Sequence, residues 1–322
     1  MKNIVKANTY VKEHKDKVNP RYRHKYHYMS EVGWINDPNG FSVFNGAYHL
    51  FAQHYPYESK WGPMHWCHAT TKDFVKWEHQ PIALAPEKDY EMDLGCFSGT
   101  ALEYDGKHIL MYTSAKGKFG EPPAQEQCVA IGDGIHYEKL EANPVITEKD
   151  LPEFATNEDS RDPKIIRRDG MFYCFLAVKD RAKEVGVIVL YKSTDLMKWD
   201  YVGEVLRGNE KLGNMFECPD IFTIGDKDVI ITSPMRMPRQ KEKYHNYCST
   251  VYFVGKMDYE TGNFHVEHYD EIDGGFDFYA PQTVTKPDGE VVMIGWHQMW
   301  ERYFVTGELG IIGQVQCLFQ DS

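Results

Sequence analysis

Three carboxylates in this chain stand where a side chain could be held for chemistry: Asp37 in WINDPNGF, Asp162 in SRDPKI and Glu217 in ECPD. Each has an ordinary reading. NDPNG is a good turn sequence, RDP reads as an Arg and Asp pair at a strand start, and ECPD reads as a surface bend. If the three converge, the reading changes, because like charges in one pocket raise one another's pKa. Glycoside cleavage uses that effect: one carboxyl is ionised, another is kept protonated, and a retaining mechanism needs them about 5 Å apart. The third could bind sugar hydroxyls. Trp34, Trp61, Phe97, Tyr279 and Trp296 would supply flat, partly polar surfaces for a sugar ring.

Convergence requires elements that bring positions far apart in sequence to one place, and a repeat supplies them. NGAYHLFA, DGKHILMY, DGMFYCFL, GDKDVIIT and DGEVVMIG each join a Gly turn to an alternating apolar strand. Their glycines, Gly46, Gly106, Gly170, Gly225 and Gly289, are separated by 60, 64, 55 and 64 residues. A second marker, ending at Trp77, Tyr137 and Trp199, keeps step at 60 and 62 residues. A unit of about 60 residues has room for about four strands of the usual length. The fold expected is therefore all-β: a five-bladed propeller of four-stranded antiparallel blades, with little helix. A sandwich or a β-helix is the alternative. Counted back from the hairpin glycines, Asp37 lies nine residues before, and Ser98, Asp162 and Glu217 eight before; Tyr279 lies ten before Gly289. First strands line the channel of a propeller, so these residues are expected to face one another across it.

Composition narrows the partners. Aromatic residues make up 14% of the chain, which favours strands over helices, and a net charge of −12 excludes a basic nucleic-acid footprint. No stretch reaches the roughly 20 apolar residues of a membrane span, and the N-terminus lacks the apolar run of a secretory signal. The seven cysteines are scattered without a CxxC pair, which reads as reduced thiols. The expected setting is cytoplasmic, with a small sugar as partner, no nucleic acid and no membrane.

WINDPNG, WGPMHW, FSGT, SRDPK, ECPD and DFYAPQ, in this order and spacing, resemble glycoside hydrolase family thirty-two, the β-fructofuranosidases. The resemblance covers about residues 22–300. It implies that Asp37 is the nucleophile, Glu217 the acid and base, and Asp162 the stabiliser of the transition state. It also implies sugar-binding roles for Asn36, Gln53, Trp61, Phe97, Ser98, Arg161 and Tyr279, and no metal or organic cofactor. Phe216 stands where the family often has Trp, and Cys67 where it often has Gly. The family's β-sandwich domain is expected to be missing, since only a short tail follows Trp300. Residues 26–322 would then form the propeller, its last blade short of an outer strand. Residues 1–25 are an N-terminal segment; the chain around Val5–Val11 or Tyr22–Tyr28 would close the ring, or a second copy of the chain would cover the gap. His65, Cys67 and His68 in MHWCHAT are too few for zinc, and His68 would point away from the other two on a strand. The basic stretch from Lys12 to Lys25 reads as a solvated surface, with a sugar-phosphate site as the sharper alternative.

Overall fold

The computed structural model describes residues 3–300, 302–313 and 315–319. Its first sheet contains β1 (Gly33–Phe44), β2 (Ala47–Tyr55), β3 (His65–Thr71) and β4 (Glu78–Leu84). The second contains β5 (Asp93–Tyr104), β6 (Lys107–Lys116), β7 (Ala124–Gly132) and β8 (Tyr137–Lys139). The third contains β9 (Ser160–Arg168), β10 (Met171–Asp180), β11 (Val185–Ser193) and β12 (Asp200–Arg207), and the fourth β13 (Met215–Ile224), β14 (Lys227–Met235), β15 (Val251–Met257) and β16 (Phe264–Glu271). After β17 (Tyr279–Thr285) and β18 (Val291–Trp296), the short β19 (Ile311–Ile312) runs parallel to β1, and β20 (Val315–Phe319) pairs with β18.

The expectation of five four-stranded antiparallel blades is corrected here. Among the described residues four sheets carry a complete four-stranded meander, giving four blades and not five; β17, β18 and β20 make a three-stranded sheet, and the first sheet gains a parallel strand. The reason lies in what was counted. A hairpin glycine marks only the two inner strands of a unit, and Gly289 marks a hairpin with one further strand beyond it. The hairpins themselves form for the reason their sequences suggest. Asn45-Gly46, Asp105-Gly106 and Asp169-Gly170 have positive φ at both positions, the geometry of a type I′ turn.

Both faces of the sheets are buried, so the apolar layers lie between neighbouring sheets. On β10, Cys174, Leu176 and Val178 pack with Ile109, Met111 and Val129 of the second sheet, while Phe175 and Ala177 pack with Ile221, Ile230 and Phe253 of the fourth. This two-residue alternation repeats around the axis. Ile35, Leu50 and Ala69 of the first sheet meet Val284, Val292 and Ile294 of the last, which closes the ring with an apolar contact.

A buried polar girdle runs beneath these layers. Asn39, with its amide turned to satisfy both ends, donates to Ser98 Oγ (3.3 Å) and accepts from Gln53 N (3.2 Å). Thr100 Oγ1 donates to Pro163 O (2.9 Å) and accepts from Ile165 N (2.9 Å). Lys164 Nζ pairs with Asp220 Oδ1 at 2.6 Å, and Asp220 Oδ2 accepts from Thr283 N. Gln282 accepts from Phe41 N (3.2 Å) and donates to Gly99 O (2.8 Å). Each inner strand therefore bonds to the next through one residue at one register, and the last bonds to the first.

Residues 3–14, within the N-terminal segment, form the helix α1 (Asn3–His14). It lies along β4 of the first sheet, where Asn8 Oδ1 accepts from Ile82 N at 2.9 Å.

Candidate functional site

Just before the girdle, every inner strand is irregular. Register shifts lie between Ile35 and Pro38, Cys96 and Gly99, Arg161 and Lys164, Glu217 and Asp220, and Tyr279 and Gln282. Four of these irregularities contain a proline, Pro38, Pro163, Pro219 or Pro281, a residue that sheets accept at bulges and on edge strands such as β9, β13 and β17. Asp162, Cys218 and Ala280 take positive φ there, 63°, 47° and 51°. Such backbone costs roughly 1–3 kcal/mol per residue and re-aims the side chain.

The result is two tiers of side chains. Two residues before the girdle stand Asp37, Ser98, Asp162, Cys218 and Ala280; three before it stand Asn36, Phe97, Arg161, Glu217 and Tyr279. Counting from hairpin glycines placed Glu217 level with Asp37 and Asp162, and that is corrected by one residue. The girdle residue precedes the hairpin glycine by seven residues in β1, six in β9 and five in β13, because β1 carries a further irregularity between Asn39 and Ser42 and the β13 hairpin is tighter.

In the lower tier, Ser98 Oγ donates to Asp37 Oδ2 (2.8 Å) and Asn36 Nδ2 donates to Asp37 Oδ1 (3.0 Å). Asn36 is held in turn by Trp34 Nε1 (2.6 Å), and Ser98 by Gln53 Nε2 (3.0 Å). Asp162 Oδ2 accepts from Cys218 N at 2.9 Å, and the Asp162 N–H is fixed on Thr113 Oγ1 at 2.9 Å. The Cys218 thiol lies 3.6 Å from both Asp37 Oδ2 and Asp162 Oδ2. One sulfur therefore links two carboxylates from opposite parts of the ring. In the upper tier, Glu217 Oε1 accepts from Arg161 Nε (2.9 Å) and its Oε2 from Tyr279 OH (2.5 Å).

These contacts divide the charge unevenly. Burial, then the nearby Glu217, push the Asp37 carboxyl up to about 6, despite donors from Asn36, Ser98 and Cys218. Burial and Glu217 also raise Asp162, against the pull of Arg161. Burial pushes the Cys218 thiol well up, so it stays a neutral donor between the carboxylates.

The remaining expected site residues divide by exposure. Trp61 and Phe97 are half-buried and meet edge to face at 6.0 Å, while Gln53, Ser98 and Tyr279 are buried behind the carboxylates. Trp34 and Trp296 are not sugar-facing surfaces. They are 5% and 0% exposed and pack on each other and on Trp300. Cys218, Thr113 and the girdle were missed by sequence reasoning; the signal was the residue before Pro at one register, Asp37, Asp162, Cys218 and Ala280.

The MHWCHAT residues serve packing. Cys67 accepts from Tyr28 OH (3.3 Å), His65 bonds Pro63 O (2.9 Å) and His68 bonds His49 (3.0 Å). No group of three or more side chains able to hold a metal occurs among the described residues. Burial lowers the pKa of His49, His54, His65, His68 and His108, to about 4 for His54 and about 3 for His65 and His108. A histidine kept neutral by the fold costs stability as pH falls below its unfolded value near 6.5, about 2 kcal/mol by pH 5 for each of His54, His65 and His108. The raised carboxyls Asp37, Asp162 and Glu126 act oppositely across that window, but the lowered histidines, which include His27 and His79, outnumber them. The melting temperature is expected to fall steadily from pH 6.5 to 5; a flat profile would contradict the neutral assignment.

The sheets form a propeller whose inner strands bring three carboxylates together at its channel. The chain belongs to glycosyl hydrolase family 32, whose N-terminal domain model matches residues 27–308. It is 36% identical over 304 residues to a sucrose-6-phosphate hydrolase of Escherichia coli, covering 91% of this chain and 61% of that protein. A structure of a Bombyx mori beta-fructofuranosidase superimposes with a TM-score of 0.89 at 37% identity, over 97% of this chain and 65% of the other. A sucrose-6-phosphate hydrolase from Lactobacillus gasseri gives 0.87 at 30% identity, over 96% and 63%. The chain thus spans about three fifths of the length of the curated relatives it matches. Among the described residues no helix is long and apolar enough to cross a membrane.

Proposed function

We propose that this chain cleaves β-fructofuranosidic bonds in sucrose, sucrose 6-phosphate or short fructo-oligosaccharides, with retention through a covalent fructosyl-enzyme intermediate. The observation that carries the reading is the meeting of three carboxylates in two tiers, each with its own donors. Membership of family 32 supports it, as do the names of the relatives and a Bombyx mori beta-fructofuranosidase mutant captured with sucrose. Asp37 acts as nucleophile: Ser98 and Asn36 fix both its oxygens, so attack needs little reorientation. Asp162 binds fructosyl hydroxyls and stabilises the oxocarbenium-like transition state. Glu217 protonates the departing oxygen and then activates water, with Arg161 and Tyr279 orienting it. Sugar hydroxyls donating to Asp162 favour its ionised form. Gln53 positions Ser98, and Trp61 and Phe97 face the sugar from the rim.

The test is to incubate the protein with sucrose, sucrose 6-phosphate and kestose and to follow free fructose, with Asp37→Ala as control. Fructose from at least one donor, absent in the variant, is the expected result. Oligosaccharides in place of fructose would indicate transfer by the same intermediate, and binding without any product a noncatalytic sugar-binding propeller. A second expected result concerns pH. Because Asp37 must be ionised in the free enzyme, kcat/KM should fall as pH drops through about 6. An acid limb near 4 would contradict the raised carboxyl.

A further inference from the structure

The backbone that carries Asp162 is gripped from the second sheet. Gln125 Nε2 donates to Glu158 O (2.6 Å), Gln127 Nε2 to Ser160 O (3.0 Å) and Thr100 Oγ1 to Pro163 O (2.9 Å). Between them, Thr113 Oγ1 accepts from Asp162 N (2.9 Å) while its own proton goes to Gln127 Oε1 (2.8 Å). Thr113 and Gln127 are 0% exposed, so both bonds are shielded from bulk water. The pattern recurs at the residues of positive φ. Asp162, Cys218 and Ala280 each give the backbone N–H to a side chain of the preceding sheet: Thr113 Oγ1, Asp162 Oδ2 and Ser233 Oγ. Asp162 is both held and holder. A chain of bonds therefore runs from Gln127 through Thr113 and Asp162 to Cys218, ending one residue from Glu217.

We propose that Thr113 is a positioning residue for the reaction: its hydroxyl holds Asp162 in the left-handed backbone conformation that aims the carboxylate at the channel. The inference rests on the role proposed above for Asp162. A residue other than glycine at φ 63° is strained and persists only where its surroundings fix it. A buried N–H must also find an acceptor. Thr113 meets both needs with one atom, because its oxygen, anchored on Gln127, receives the N–H of the bent backbone. Without that oxygen Asp162 relaxes towards extended φ, which swings the carboxylate and releases Cys218 N beside Glu217. Asp162 stabilises charge that develops in the transition state, so the loss falls on kcat more than on KM.

The test compares Thr113→Val, which keeps the shape and removes the hydroxyl, with Thr113→Ser, which keeps the hydroxyl, by kinetics on sucrose, sucrose 6-phosphate and kestose and by crystal structures. The valine variant should lose about 100-fold in kcat, the effect of misplacing a group by about 1 Å, with KM changed by less than about threefold. The serine variant should keep kcat within about threefold of the unmodified chain. In the crystal, Asp162 of the valine variant should leave positive φ and lose its bond to Cys218 N. Tyr191→Phe is the control: it removes a buried hydroxyl from Asp150 O in a neighbouring loop, and should lower the melting temperature with kcat unchanged. If the valine variant does not fold, Thr113→Cys, whose sulfur is a weak acceptor, replaces it with the same expectation. An unmoved carboxylate, kcat retained where the carboxylate has moved, or a serine variant as slow as the valine one would overturn the proposal. If the unmodified chain releases no fructose, the reading of its function fails, while the crystal structures still decide whether Thr113 holds Asp162.

Discussion

Asp37→Asn is expected to abolish fructose release and, in the same protein, to stabilise the fold. The activity lost should be roughly 10⁴-fold or more, as for removal of other covalent nucleophiles. The stability gained follows from the carboxyl being held at about 6 against an ordinary value of 3.8. A raised folded-state pKa means that the ionised form is disfavoured by folding. The penalty is therefore fully present above about pH 6 and absent below 3.8. Asparagine keeps an acceptor for Ser98 and removes the charge, so at pH 7 the variant should gain up to about 3 kcal/mol, or roughly 4 °C in Tm. The gain should vanish by pH 4. Equal melting temperatures at pH 7, or a gap that persists at pH 4, would show that the site carboxylates are not in conflict.

The second large effect is expected from Lys164→Met, in the girdle two residues beyond Asp162. Lys164 pairs with Asp220, whose side chain is 0% exposed, and removing the cation leaves a buried carboxylate between the third and fourth sheets. Breaking such a pair costs about 3–5 kcal/mol, most of it from the charge left behind. Lys227→Met, which breaks the exposed pair with Glu267, should cost less than about 1 kcal/mol. Comparable losses in chemical denaturation of the two variants would show that the girdle does not couple the sheets.

The contrast between those lysines explains what the sequence could and could not disclose. The hairpins were legible because Asn-Gly and Asp-Gly announce a backbone conformation few other pairs adopt. The candidate carboxylates were legible through the repeat, to within one residue at Glu217; extra irregularities in β1 and a tighter hairpin at β13 make a count from the glycine drift. Lys164 and Asp220 were not legible, because charged residues are normally solvated and nothing local marks a pair joined across 56 residues. Trp34 and Trp296 failed for the opposite reason. An aromatic side chain suits both a sugar platform and an apolar core, and only packing decides between them. The blade count failed because a hairpin does not determine how many strands will follow it.

The closure through Gln282 bears on how the molecule is made. Its amide bonds to Phe41, 241 residues earlier, so no chain can latch the ring before its last units exist. Contacts this distant slow folding and prolong the exposure of unfinished apolar faces. Ile35, Leu50 and Ala69 must wait for Val284, Val292 and Ile294. Until then the apolar flank beside Asp37 is open to wrong partners.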